Sequence, residues 1–175
     1  MTNPPEVLLR TRLFSVVRHT RPSPRGTIVR ESIQHPGAVT IVPMVTGDEV
    51  CLIRNHRITV DETLIELPAG TLDPGEDPHQ TALRELAEET GFVCQSLRKL
   101  HEFYTSPGIL NERMVLFVAT GLTAGRAALE PGEEIETFVV PWQVALSMVD
   151  EGRIRDAKSL VGLLYYERLR QRGQG

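Results

Sequence analysis

The sequence predicts a layered α+β or α/β domain, on three observations. Short apolar runs rich in β-branched residues recur along the chain, a single strongly helical segment interrupts them, and two further helical segments close the C-terminal end. At 175 residues the chain suits one domain, or one domain with a small appendage, and is long enough to hold a core without disulfides. Hydrophobic residues at 41% and charged residues at 24% lie near the globular average, which excludes a wholly disordered chain and a coiled coil.

The elements follow in order. Leu13–His19 reads as extended, Arg21–Gly26 as a turn, and Thr27–Ile33 alternates polar and apolar residues with the period of a half-buried strand. Residues from about 8 to 34 therefore form a small antiparallel sheet of their own. Ala38–Val45 and Glu49–Arg54 are apolar runs around Gly47-Asp48, which predicts a hairpin. Thr63–Leu67 is a short strand ending at Pro68-Ala69-Gly70. Residues 78–90 are the clearest helix: Asp77 caps it, Pro78 fits its first turn and Gly91 stops it. Strands follow near 97–104, 113–120 and 135–140. A helix opened by Pro141 runs through Val149 to Gly152, with Trp142 as its anchor to the core, and a third runs from Asp156 to Arg170.

Several function classes lose support at once. Nineteen basic against twenty-three acidic residues give a net charge of −4, the wrong sign for a generic nucleic-acid binder. The basic tail Arg168–Arg172 ends a helix, where solvation and the helix dipole account for it. No apolar run approaches the roughly 18 residues of a membrane span, and the start Met1–Glu6 lacks the pattern of a secretory signal. Cys51 and Cys94 are too few for a disulfide framework and read as free thiols in a reducing cytoplasm. Neither cysteines nor histidines show a spacing that marks a nucleophile pair or a metal site.

The chemistry is concentrated between Gly70 and Phe92. At about 100° per residue, Glu85, Glu88 and Glu89 share one face of the helix, with Leu83, Leu86, Ala87 and Thr90 opposite. Three neighbouring carboxylates repel one another unless solvent or a cation compensates, and an oxygen-only donor set favours Mg²⁺ or Mn²⁺ over zinc. Arg84 can pair back to Glu76 across the preceding loop, and backbone carbonyls of that loop, Ala69 among them, can face a cation.

This stretch resembles the Nudix box, G-x5-E-x7-R-E-U-x-E-E-x-G-U with U apolar, at all nine specified positions: Gly70, Glu76, Arg84, Glu85, Leu86, Glu88, Glu89, Gly91 and Phe92. The resemblance implies a Nudix fold, a mixed β-sheet sandwiched between helices, and cation-dependent hydrolysis of a nucleoside diphosphate linked to another group. Glu66–Gly70, Ser106-Pro107-Gly108, Asn111-Glu112, Gly132–Ile135 and Asp150–Ile154 resemble the ADP-ribose pyrophosphatase subgroup. That likeness implies residues 1–36 as a β-strand subdomain for dimerisation and base binding, and residues 37–175 as the hydrolase domain of a cytoplasmic homodimer.

The resemblance also implies roles. Ala69, Glu85, Glu88 and Glu89 are expected to hold Mg²⁺, or Mn²⁺ in its place, and Glu76 with Arg84 to form a supporting salt bridge. Glu133 is expected to be the general base, with Glu134 as alternate and Glu88 as a further catalytic carboxylate. Arg57, Arg30, Phe14 and Glu112 are expected to bind substrate, Phe14 and Arg30 by sandwiching adenine from the partner subunit. The expected reaction converts ADP-ribose to AMP and ribose 5-phosphate. The rivals are another nucleoside diphosphate derivative, such as a nucleotide sugar, and a module that senses a nucleotide without cleaving it. No nucleic-acid or membrane partner is expected.

Overall fold

The computed structural model describes residues 4–129 and 134–175. A four-stranded mixed sheet organises the core, in the order β7 (Ala69–Thr71), β4 (Ala38–Pro43), β10 (Arg113–Thr120), β9 (Ser96–Tyr104). Its two central strands, β4 and β10, run parallel and their other neighbours antiparallel. Both are buried along almost their whole length, which is why they read as continuous apolar runs rather than alternating ones. The period of two still sorts their side chains between the faces. Val39, Ile41, Val115, Phe117 and Ala119 join Ala82 and Leu86 of α1 (Pro78–Thr90) in one cluster. Val42, Leu116 and Val118 face the other way, into a second cluster with Trp142, Met148, Leu163 and Tyr166 of α2 (Trp142–Asp150) and α3 (Ala157–Gln171).

A second, antiparallel sheet of β12 (Ile135–Pro141), β5 (Glu49–Arg57) and β6 (Glu62–Glu66) adds Val50 and Leu52 to this second cluster. Trp142 anchors α2 as expected. It is 1% exposed, meets Tyr166 edge-on and donates from Nε1 to Glu167 Oε2 (2.6 Å). β8 (Phe92–Val93) and β11 (Thr123–Ala124) form a two-stranded ribbon beside the end of α1. The N-terminal meander β1 (Glu6–Arg10), β2 (Ser15–Ser23), β3 (Gly26–Gln34) stands apart as its own sheet, mostly exposed. It meets the rest at the 105–112 loop, where Ile33 N–H donates to the Ile109 carbonyl (2.8 Å) and Asn111 N–H to the Ile33 carbonyl (3.1 Å). Among the described residues no helix is long and apolar enough to cross a membrane.

Two expectations are corrected. The 38–54 hairpin exists only at its tip, where Val45 N–H donates to Glu49 O (2.8 Å) and Met44 bridges Val50. Beyond that point β4 and β5 diverge into different sheets, because β4 is flanked by β10 and β7 and has no free edge for β5. The second correction concerns α1. Leu83, expected on the packed face, is 36% exposed, whereas Glu85 and Glu89, at 9% and 3%, are buried. The helix packs through Ala82 and Leu86, and its acidic side is covered rather than turned to open solvent.

Candidate active site

The segment Glu66–Thr71 leaves one sheet and enters the other, and it lies over the acidic side of α1. Thr40 Oγ1 and Ile41 N–H both donate to the Pro68 carbonyl (3.2 and 2.9 Å), which fixes the crossing. Ala69 N–H then donates to Glu89 Oε2 (2.9 Å). At the next residue the backbone runs so close to Glu85 that a Cβ on Gly70 would fall 1.9 Å from its carboxyl carbon. Glycine there is a requirement of contact, not of backbone angle.

The start of α1 is built as the sequence predicts. Asp77 Oδ1 accepts from His79 N–H (2.8 Å), Pro78 occupies the first turn, and Gly91 ends the helix at φ 72°, its N–H donating to the Ala87 carbonyl (2.9 Å). Arg84 reaches back to Glu76, with Nε to Oε1 at 3.2 Å and Nη2 to Oε2 at 3.1 Å. Hydrogen bonding from Arg84 pulls the Glu76 carboxyl down to about 2. The folded value lies below the ordinary one, so the pair stabilises the fold above the usual carboxylate range and loses that contribution as pH falls toward 2. The brace does more than expected: Arg84 Nη1 also donates to Glu85 Oε1 (2.7 Å) and Glu88 Oε2 (2.9 Å).

A cleft of about 440 Å³ opens over this segment, lined by Ala69, Gly70, Arg57, Glu66, Glu112 and Lys158 among others. Among the described residues no three carboxylate, imidazole or thiol side chains already surround one point. Arg84 Nη1, a cation, sits between Glu85 and Glu88 instead. The donor set still fits a hard divalent cation: carboxylates on one helical face, next to backbone that glycine alone lets this near. Glu85, Glu88, Glu89 and the Ala69 carbonyl are the groups that could hold it.

The structure brings some of the expected residues together and separates others. Arg57 and Glu112 line the cleft. Glu112 Oε2 accepts from Thr105 Oγ1 (2.6 Å), and its other oxygen lies 3.6 Å from His35 Nδ1. Arg30 and Phe14 do not line it. Arg30 Nη1 donates to the Val29 carbonyl on β3 (2.8 Å), and Phe14 N–H donates to Thr11 Oγ1 (3.0 Å) in the turn before β2. Glu133 lies outside the described residues, and Glu134 is exposed just before β12. Neither cysteine competes for a catalytic role; both are free, and burial pushes the Cys51 thiol up to about 12.

Sequence reasoning missed the groups behind Arg57. The Glu66 carboxylate, fully buried, accepts from Arg57 Nε (2.8 Å) and Nη2 (2.6 Å) in a bidentate fork, which raises the Arg57 pKa. Lys158 Nζ also donates to Glu66 Oε2, and to Asp156 Oδ2 at 2.9 Å. Asp156 caps α3 by accepting from Ser159 N–H (3.0 Å). Burial alone would raise the Asp156 carboxyl, but Lys158 and Ser159 overcome it and hold it below its ordinary value. The one signal in the sequence was Asp156-Ala-Lys-Ser159, a cap followed by a lysine on the side where a helix packs.

This architecture, a mixed sheet between helices with a braced acidic helix face beside a cleft, is that of a class of hydrolases that typically depend on divalent cations. Residues 34–161 match the NUDIX domain, and the chain belongs to the Nudix hydrolases, enzymes acting on the pyrophosphate bonds of nucleoside diphosphate derivatives. It is 37% identical over 147 residues to the methanol dehydrogenase activator of Bacillus methanolicus, covering 82% of this chain and 80% of that one. Identity to the ADP-ribose pyrophosphatase of Bacillus subtilis is 36% over 140 residues, covering 79% and 76%. The GDP-mannose pyrophosphatase of Salmonella typhimurium is 36% identical over 140 residues, covering 75% and 73%. A crystal structure of an ADP compounds hydrolase superposes with a TM-score of 0.84 at 25% identity, over 100% of this chain and 96% of the other.

Proposed function

We propose that the chain hydrolyses ADP-ribose to AMP and ribose 5-phosphate, with Mg²⁺, or Mn²⁺ in its place, held by Glu85, Glu88, Glu89 and the Ala69 carbonyl. One observation carries this reading: the backbone that touches Glu85 and Glu89 also lines the cleft that Arg57 enters, so cation-holding and anion-binding groups share one space. The ADP-ribose pyrophosphatase relative supports the choice of substrate.

A cation bound there supplies charge neutralisation of the phosphates and a lowered pKa for its water. The chain's own groups do the rest. Arg57, with Nε and Nη2 fixed on Glu66, offers its remaining edge to a phosphate oxygen. Glu112 meets the ribose hydroxyls. Glu133, with Glu134 as alternate, accepts the proton as a water oxygen bonds to phosphorus and the bridging P–O bond breaks, the electron pair leaving with the departing phosphate. Glu76 and Arg84 hold the helix face in place.

Residues 1–36 form the dimerisation and base-binding unit of a homodimer, and residues 37–175 the hydrolase unit. The meander exposes Val7, Leu8, Leu9, Leu13 and Val29. It also carries six arginines against two glutamates, whereas residues 37–175 carry thirteen basic against twenty-one acidic residues, so a second copy is complementary in charge. In that arrangement Phe14 and Arg30 reach the partner's cleft and sandwich adenine. Sedimentation is expected to give a two-chain mass, and a one-chain mass at the concentrations used for assay refutes it. The two free thiols accord with a cytoplasmic setting.

The GDP-mannose pyrophosphatase relative, equal in identity at 36%, favours a second reading, hydrolysis of a nucleotide sugar. A substrate panel with Mg²⁺ and product analysis decides between them. AMP and ribose 5-phosphate are expected from ADP-ribose, with kcat/KM at least about tenfold above that for GDP-mannose. The reverse ranking selects the nucleotide sugar. In the same assay Glu133→Gln or Glu134→Gln lowers kcat; wild-type kcat in both places the base elsewhere.

A further inference from the structure

The first turn of α3 brings a buried ammonium group to the wall of the cleft. Lys158 is 8% exposed, and its Nζ is shared between Glu66 and Asp156. Glu66 Oε2 therefore accepts from two cations at once, Lys158 Nζ and Arg57 Nη2. All four residues border the cleft, with the Glu66 carboxylate buried behind its wall. Two positive and two negative charges balance, so the quartet adds little net field, and what it supplies is orientation. A buried carboxylate held between two cations cannot swing toward either without leaving the other unpaired in a low-dielectric site. The turn bearing Lys158 is itself stitched to the strand end that bears Glu66. Leu67 N–H donates to Ser159 Oγ (2.7 Å), and Ser159 Oγ donates to Asp156 Oδ2 (2.6 Å). Arg57, by contrast, is 39% exposed in its side chain and without Glu66 would be a long, mobile cation.

We propose that Lys158 is a positioning residue for substrate binding: anchored on Asp156 and sharing Glu66 with Arg57, it fixes the guanidinium so that its remaining edge meets a phosphate oxygen in the cleft. This rests on the reading of Arg57 as a phosphate contact. It assigns α3, an element outside the box, a part in substrate affinity. Because Lys158 acts through Arg57, its removal matters only while Arg57 is present. A lysine that merely supports the fold has no such dependence.

The test is steady-state kinetics with ADP-ribose and Mg²⁺, or with GDP-mannose should the panel rank it first. The variants are Lys158→Met, Lys158→Arg, Arg57→Ala and the Arg57→Ala/Lys158→Met double. Lys158→Met is expected to raise KM about tenfold, the equivalent of about 1.4 kcal/mol, with kcat changed less than about threefold. Lys158→Arg recovers most of the loss. In the Arg57→Ala background, Lys158→Met adds less than about twofold to KM. Equal effects of Lys158→Met in both backgrounds overturn the proposal, as does an unaltered KM in Lys158→Met alongside a raised KM in Arg57→Ala. An unaltered KM in Arg57→Ala overturns the reading of Arg57 itself. Asp156→Asn keeps a capping oxygen and leaves Glu66 its cation, so it serves where Lys158→Met does not fold. It is expected to raise KM about threefold, and a wild-type value there, with KM raised in Arg57→Ala, counts against the proposal.

Discussion

Replacing Glu85 and Glu89 together by glutamine is expected to leave the protein folded and to lower kcat/KM for pyrophosphate hydrolysis by on the order of 10⁴-fold. The fold survives because the hydrogen bonds named at these positions use the carboxylates as acceptors, from Ala69 N–H to Glu89 and from Arg84 Nη1 to Glu85. The glutamine carbonyl accepts the same two bonds, the one from Arg84 more weakly for want of charge. Two of three crowded negative charges also disappear, which relieves repulsion along the helix face. Arg84 keeps both oxygens of Glu76 and so stays where it is. Function is expected to be lost because glutamine keeps an oxygen donor but not the negative charge, and that charge is what draws a divalent cation to this face. A cation at the proposed site would have to compete with Arg84 Nη1, which lies between Glu85 and Glu88, and loss of carboxylate charge weakens its side of that competition. A second readout follows from linkage. Mg²⁺ at about 100 times its dissociation constant is expected to stabilise the wild-type fold by about 2.7 kcal/mol, raising its melting temperature, and to leave the double variant unmoved. Undiminished hydrolysis, or a melting shift that persists in the double variant, puts the cation somewhere else.

Much of this architecture was legible in the residues because local chemistry and tertiary demand agree. Asp77, Pro78 and Gly91 mark both ends of α1 whatever lies around it, and the helix forms between them. β10 and β4 are apolar on both faces because both faces are covered. Where legibility failed, partners far away in sequence decide. The Gly47-Asp48 turn specifies a reversal of the chain but not which neighbours β4 and β5 take afterwards; β10, more than seventy residues on from β4, takes that edge. The helical wheel put Glu85, Glu88 and Glu89 on one side, yet it cannot tell that the 66–71 segment crosses over that side and buries two of them. It put Leu83 on the wrong face for the same reason: hydrophobicity at one position does not say whether a neighbour arrives to cover it. The site shows the same division. Glu76 and Arg84, eight residues apart, were legible as a pair. Glu66 and Lys158, ninety-two apart, were not, since only the docking of α3 against the end of β6 joins them.

Gly70→Ala is the sharper test of the site, because it separates geometry from charge. A methyl group at this position would lie 1.9 Å from Glu85 Cδ and Oε1 and 2.4 Å from Oε2, so the carboxylate must leave. It is the far end of a flexible side chain and moves at small cost, and no left-handed backbone angle at Gly70 penalises alanine. The fold therefore tolerates the change, with a loss of about 1 kcal/mol or less and a melting temperature lowered by a few degrees at most. The chemistry does not tolerate it. Displacing one member of the acidic face by an ångström or more removes it from the Ala69–Gly70 backbone and from Arg84, and misplacement on that scale costs about 10²-fold in rate. The expected result is a variant nearly as stable as the wild type, with kcat/KM down by about two orders of magnitude. More Mg²⁺ is also required to reach half-maximal rate, and raising its concentration recovers part of the loss. Glu85→Asp in the Gly70→Ala background tests the steric cause: the shorter side chain has room for the added methyl and regains activity relative to Gly70→Ala alone. Wild-type kinetics in Gly70→Ala are incompatible with a cation held by Glu85 beside this backbone, whatever the double glutamine variant does.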